Sequence, residues 1–249
     1  MDILVAIPFK RGIKGLICSL YSLLSTSKHQ NITILVSENK SLENIDLIIK
    51  EFSKKIKIVH IKHSLDLGRA GNLNFCIDYG LKYKYKIIKF LFCGDVITNQ
   101  IWGFLLNTFS KDTISICQWS YLYNFDKSSN LVEPDLPEGE YSLHDIYKLG
   151  FFPSKIYGAI TALAFSLKHL KYIRFESDSL GIANFCNLLC ESGSTYVKHE
   201  IFSSYNKEFR GSIAHMDTIA SDIEFLYSQI RGLRRYFDFD RGISKKNNK

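Results

Sequence analysis

Hydrophobic and polar positions alternate along this chain in blocks of two lengths. Short, predominantly apolar stretches occur at 3–7, 32–36, 56–61 and 90–92, the first of them unbroken. Each reads as a strand, and the unbroken run at 3–7 is what a strand covered on both faces of a parallel sheet shows. Between them the apolar residues recur at helical spacing: Leu16, Ile17, Leu20, Leu23 and Leu24 after residue 13, and Leu73, Cys76, Ile77 and Leu81 over 72–81. Pro8 stops the first strand, and Ser41 caps a helix running through 52. The order β-α-β-α-β-α-β with short connections predicts a parallel sheet with right-handed crossovers.

Beyond residue 100 the pattern predicts a helix at 101–109, a strand at 114–123, a polar loop at 124–139 and a short helix at 142–149. The apolar segment 159–167 fits strand or helix equally. A helix at 180–190 carries Ile182, Phe185, Leu188 and Leu189, and a strand follows at 195–202. The polar return 205–215 holds Arg210 and His215. The last segment, 220–237, has Ile223, Leu226, Ile230 and Leu233 at helical spacing. We expect a single α/β domain with a mostly parallel central sheet and a less regular second half, divided into residues 1–110, 111–219 and 220–249.

Each early strand runs into polar groups: Lys10 after the first, Glu38 and Asn39 after the second, the turn from Gly68 and Arg69 to Asn72 after the third, Gly94 and Asp95 after the fourth. Singly, each is readily a turn former or solvated loop residue. Four at consecutive strand ends point to a common site, because ligands of open α/β sheets collect outside the carboxyl ends of the strands. Asp95 is the centre of this expectation, since KFLFCGDVI at 89–97 takes a buried strand straight to a carboxylate, and a carboxylate there can hold a divalent metal on a diphosphate.

Composition narrows the class. Apolar residues make up 46% and aromatic residues 14% of 249 positions, which fits a globular core, and no apolar run reaches the length of a membrane span. Residues 1–8 enter a strand pattern at once, with Asp2 where a secretion signal carries positive charge, so the expected location is the cytoplasm. Six cysteines lie scattered in apolar segments with no CxxC pair, as buried reduced thiols do. The net charge of +7 favours an anionic partner. Nucleic acid is not expected, because no RNP, zinc or helix-turn-helix pattern accompanies the charge.

The first hundred residues resemble the nucleotide-diphosphosugar-binding half of family 2 glycosyltransferases with the GT-A fold. ILVAIPFK matches the first strand, Ser37-Glu38-Asn39-Lys40-Ser41 the second-strand turn with Glu for Asp, Gly68 to Asn72 the turn before the third helix, and Cys93-Gly94-Asp95 the second half of an Asp-x-Asp motif. The resemblance implies transfer of a sugar, with inversion, from a nucleotide-diphosphosugar, UDP favoured, to a cell-surface glycan or lipid-linked acceptor. It implies that Glu38 contacts the nucleoside, that Pro8 and Phe9 wall the base pocket, and that Asp95 holds Mg²⁺ or Mn²⁺. Lys10 and Arg69 are candidate diphosphate contacts. His215 is a further candidate metal ligand.

In that family a second-half aspartate is the catalytic base. Here Glu176-Ser177-Asp178 precedes the 180–190 helix, so Asp178, with Glu176 beside it, is the candidate, while Asp178 or Ser179 serves equally as an N-cap. Cys93 replaces the first Asp-x-Asp aspartate, and a thiol is a poor ligand for a hard cation. A catalytically silent GT-A-like binding protein is therefore the alternative. A sugar-phosphate nucleotidyltransferase is a weaker one, because the first strand lacks the Gly-rich basic loop that cradles a triphosphate. Arg231, Arg234 and Arg235 beside Tyr236 and Phe237 read either as cations at a helix C-terminus or as a peripheral membrane patch, followed by a basic tail at 245–249.

Overall fold

The computed structural model describes residues 2–26, 31–151, 159–176 and 182–207. Four parallel strands, β1 (Ile3–Phe9), β2 (Ile32–Asn39), β3 (Ile58–His63) and β4 (Ile87–Phe90), stand in the order β3-β2-β1-β4. They are joined by α1 (Ile13–Thr26), α2 (Asp46–Ser53) and α3 (Gly68–Lys82). After β4 come the two-residue β5 (Val96–Ile97), α4 (Ile101–Thr108), β6 (Ile114–Phe125), β7 (Ser128–Val132), β8 (Gly139–Tyr141) and α5 (Leu143–Lys148). A 3-10 turn (Ile160–Ala162), β9 (Leu163–Ser166), α6 (Ile182–Ser192) and β10 (Ser194–Asn206) complete the described chain.

The sheet continues from β4 through β9, β6 and β10 to β5. Strand β9 is antiparallel to both β4 and β6, and β10 is parallel to β6, so β1–β4, β6 and β10 all run the same way. Alternation along β1 divides the core. Ile3, Val5, Ile7 and Phe9 pack with α1 and α4, and Leu4 and Ala6 pack on the opposite face with α3 and α6. Both faces of β1 are thus covered, which is why it reads as a continuous apolar run. Among the described residues, no helix is long and apolar enough to cross a membrane.

Several elements differ from the pattern-based expectation for identifiable reasons. Strand β1 continues through Pro8, which faces Ser37 of β2. The carbonyl of Ala6 accepts from Leu91, the last bond on the β4 side, so the N–H that Pro8 lacks falls beyond the ladder. Helix α2 begins at Asp46 rather than after Ser41, because the Ser41 hydroxyl accepts from the Glu43 amide at 2.9 Å and the Glu43 carboxylate takes the amide of Gly12 at 2.7 Å. Helix α3 begins four residues early. Its opening amides are met by side chains, Leu67 N by Asn39 Oδ1 at 2.7 Å and Gly68 N by Asp66 Oδ1 at 3.1 Å.

The 124–139 stretch is partly a hairpin: Asp126 and Lys127 take φ of 46° and 62°, the geometry of a two-residue primed turn between β6 and β7. Segment 159–167 resolves into the 3-10 turn and β9, inserted between β4 and β6. Ser142 caps α5 in a reciprocal box with Asp145.

Where α6 meets β10 the chain leaves no room for a side chain. A methyl group on Gly193 would lie 2.6 Å from the Thr113 carbonyl oxygen and 2.9 Å from Ser115 Cβ. Gly193→Ala is expected to cost about 1–3 kcal/mol by overpacking, seen in calorimetry as a fall in Tm of roughly 2–4 °C for each kcal/mol at this chain length. An unchanged Tm contradicts this close approach.

Candidate active site

Parallel register brings the ends of β1, β2 and β3 to one rim, with Phe9 opposite Glu38 and Asn39 opposite His63. Charged and amide side chains there are tied together. Asp66, between β3 and α3, accepts from Lys10 Nζ at 2.6 Å through one oxygen and from Asn39 Nδ2 at 2.9 Å through the other. Asn39 also donates to the Gly68 carbonyl at 3.2 Å, and Gly68 takes φ of 67°, a conformation that suits glycine. The Lys10 ammonium, then the Gly68 amide, holds the Asp66 carboxyl below its usual range. Lys10 remains about half exposed, its side chain at 48%.

Deeper in, the Ser37 hydroxyl donates to Asn72 Oδ1 at 2.5 Å, and Asn72 Nδ2 returns a bond to the Ser37 carbonyl at 3.1 Å. The Ser37 proton is thereby used, so Nε2 of His63, 2.9 Å away, is the donor of their contact. Burial holds the His63 imidazole below its usual range, because desolvation disfavours the charged ring. Glu38 is 6% exposed and accepts from His60 Nε2 at 2.7 Å. On its other side His60 Nδ1 lies 3.8 Å from Asp46, which is itself paired with Lys62 at 2.6 Å.

Residues 91–95 leave β4 over the end of β1. Gly94, at φ of 94°, donates to the Gly15 carbonyl at 2.9 Å and to Ser19 Oγ at 3.0 Å, fastening the turn to α1. Ser19 Oγ in turn donates to the Asp95 carbonyl at 2.7 Å. The Asp95 side chain is fully buried. Its Oδ2 accepts from the Thr161 hydroxyl and its Oδ1 from the Asn206 amide at 3.3 Å. Asn206 Nδ2 also reaches the Gly94 carbonyl at 2.5 Å. Burial, then the negative charge of Asp95, pushes the Cys18 thiol up.

Of the residues expected at the site, Lys10, Glu38, Asn39, Gly68, Arg69 and Asn72 gather on the rim of β1–β3, and the Arg69 guanidinium lies 5.6 Å from the Phe92 ring centroid, next to the 93–95 turn. Pro8 is half-buried, whereas Phe9 is wholly enclosed in the core under α1. Asn39 and Asn72 spend the hydrogen bonds named above on the β2–α3 junction. Glu176 is exposed. Asp178, His215 and the arginines at 231, 234 and 235 lie outside the described residues. Four residues here were not singled out by pattern: His60, Asp66, Thr161 and Asn206. Only Asp66 carried a local signal, the Asp-x-Gly spacing of a side-chain-capped turn.

Among the described residues no group of three or more His, Cys, Asp or Glu side chains is placed to hold a metal ion. The donor set does not fit a hard cation: Asp95 has no exposed face, both of its oxygens accept hydrogen bonds from the chain, and Cys93 stands where a second carboxylate would be useful.

No protein-family model matches the chain, and no characterised protein matches it in sequence. In three dimensions it is similar to residues 1–349 of S. aureus TarS in complex with UDP-GlcNAc, with a TM-score of 0.67 and 12% identity over 88% of this chain and 62% of that one. The same TarS fragment with UDP gives 0.65 and 11% over 83% and 60%. The mannosyltransferase PcManGT from Pyrobaculum calidifontis in complex with GDP-Man and Mn²⁺ gives 0.59 and 11% over 86% and 59%. The chain therefore spans about three-fifths of each of these structures, and 37% of a longer TarS chain. At such identities the likeness speaks for the fold, and the chain has the GT-A glycosyltransferase fold.

Proposed function

We propose that the protein is a nucleotide-sugar-dependent glycosyltransferase that passes a sugar, with inversion, from a nucleotide-diphosphosugar to a glycan or lipid-linked acceptor. One arrangement supports this reading: on a GT-A sheet, Lys10 and Glu38 stand at the ends of β1 and β2, and Gly68 and Arg69 open α3 next to Asn39 on the same rim, where ligands of such sheets collect. The complexes of TarS with UDP and UDP-GlcNAc and of PcManGT with GDP-Man support a nucleotide-sugar as the donor class. The Mn²⁺ of PcManGT supports a divalent cation in that protein, whereas the donor set here argues for other means of neutralising the diphosphate.

In this reading His60 holds one oxygen of Glu38, and the other accepts a hydrogen bond from the base or ribose of a UDP-sugar. Pro8 forms part of the base-pocket wall. Lys10 and Arg69 stabilise the charge that develops on the departing diphosphate. Asp178, flanked by Glu176, takes the proton of an acceptor hydroxyl. The freed oxygen bonds to the anomeric carbon from the face opposite the leaving group, and the electron pair of the broken C–O bond leaves with the nucleoside diphosphate. The basic stretch around Arg231, Arg234 and Arg235 supports a lipid-linked acceptor at the inner face of the cytoplasmic membrane. A second reading, a silent donor-binding protein, is favoured by Cys93 and the enclosed Asp95.

Nucleotide binding separates these readings from no donor function at all. UDP at a hundredfold above its Kd is expected to stabilise the fold by about 2.7 kcal/mol in thermal shift, and Glu38→Gln to weaken UDP about tenfold, by calorimetry, while leaving the unliganded Tm near that of wild type. Absence of a shift with UDP, GDP and ADP alike contradicts the reading. For turnover, Asp178→Asn retains capping ability and is expected to lower kcat by about a hundredfold or more with donor affinity kept. Unchanged kcat would leave Asp178 a helix cap.

A further inference from the structure

We propose that Asp95 is a closed internal latch rather than a metal ligand, and that the protein binds its nucleotide without a divalent cation. This deepens the glycosyltransferase reading and rests on it for the nucleotide. Three segments far apart in sequence converge on the residue: Thr161 from the 3-10 turn, Asn206 from the end of β10, and Ser19 from α1, which binds its carbonyl. Asn206 is itself held, its Oδ1 accepting from Asn124 Nδ2 at 2.6 Å and its Nδ2 occupied by Gly94. The carboxylate thus joins the donor rim to the β6–β10 half of the sheet.

A divalent ion serving a diphosphate must touch the carboxylate, the phosphate oxygens and its remaining waters at once, in near-octahedral geometry for Mg²⁺. Asp95, with no exposed surface, offers no side from which phosphate and water could approach. Entry would require the ion to displace the Thr161 hydroxyl and the Asn206 backbone amide from the carboxylate oxygens. Cys93 adds no hard ligand. Two cationic side chains, Lys10 and Arg69, stand on the same rim instead. Among the described residues Lys10 is paired with Asp66 in an exposed contact, of the kind that contributes little and yields to a stronger anion. Arg69 sits at the first turn of α3, where the helix N-terminus also favours negative charge.

The test compares UDP binding by calorimetry in EDTA and in Mn²⁺, with the Tm of Thr161→Val measured in EDTA without nucleotide. Valine keeps the volume and removes the donor to Asp95. UDP affinity is expected to agree within about threefold in the two buffers, and Thr161→Val to lower Tm by about 3 °C or more, the effect of removing a buried hydrogen bond to a carboxylate. A UDP affinity raised more than threefold by Mn²⁺ overturns the proposal and leaves the glycosyltransferase reading standing. If neither UDP nor GDP binds in either buffer, that reading fails. The variant then judges the latch alone: a smaller fall in Tm than about 3 °C overturns it, and a larger one upholds it.

Discussion

Where β4 passes beneath the second half of the sheet, a charged side chain is enclosed in an apolar interior, and the neighbouring structure is arranged to satisfy it. Lys89 is fully buried, donates to the carbonyls of Phe90 at 2.6 Å and Thr161 at 2.7 Å, and lies 5.1 Å from the Trp119 ring centroid. An ammonium there without such partners would be prohibitively costly. The Thr161 carbonyl also accepts from Ser203 Oγ at 3.1 Å, which in turn accepts from Trp119 Nε1 at 2.9 Å. The Thr161 hydroxyl goes to Asp95. One seam of polar groups therefore fixes β4, the 3-10 turn, β6, β10 and the 93–95 turn relative to one another, and in a low-dielectric interior such a seam tolerates few alternative arrangements.

That seam matters for chemistry because it lies immediately behind the rim. The rim needs two properties at once: strand ends held rigidly and side chains left available to a ligand. Buried and part-buried bonds supply the first, with Ser37 to Asn72, Asn39 to Asp66 and Gly68, and Gly94 to α1. Exposed or partly exposed groups supply the second, notably Lys10. Several residues expected to meet a ligand, Asn39, Asn72 and Phe9 among them, are engaged in building the rim. The likeness to TarS and PcManGT is a likeness of fold, and the chemistry proposed here depends on this chain's own side chains.

Much of the first half was legible from residue pattern. The runs at 3–7 and 32–36 announce strands covered on both sides, the i, i+3, i+4 spacing of Leu16, Leu20 and Leu23 announces α1, and both follow from local geometry. The polar groups at four strand ends were legible for the same reason: a parallel sheet with helical crossovers must bring its strand ends to one edge. Even the choice of Asp95 as the centre of interest came from a local event, a buried strand running into Gly-Asp.

Tertiary structure alone decided what those residues do. The run at 159–167 is equally apolar as strand or helix, and only its insertion between β4 and β6 makes it β9. Thr161 and Asn206 lie 66 and 111 positions from Asp95, and no spacing rule connects them, so whether the carboxylate faces solvent or the interior could not be read from its neighbours in the chain. His60 reaches Glu38 because β2 and β3 pair in a particular register, and a shift of one residue would turn it to the other face. Periodicity reports which residues are apolar and how they repeat, a property of consecutive positions. Burial and hydrogen-bond partnership belong to pairs brought together by folding, and that is why strand ends could be located from sequence while their chemistry required the assembled sheet.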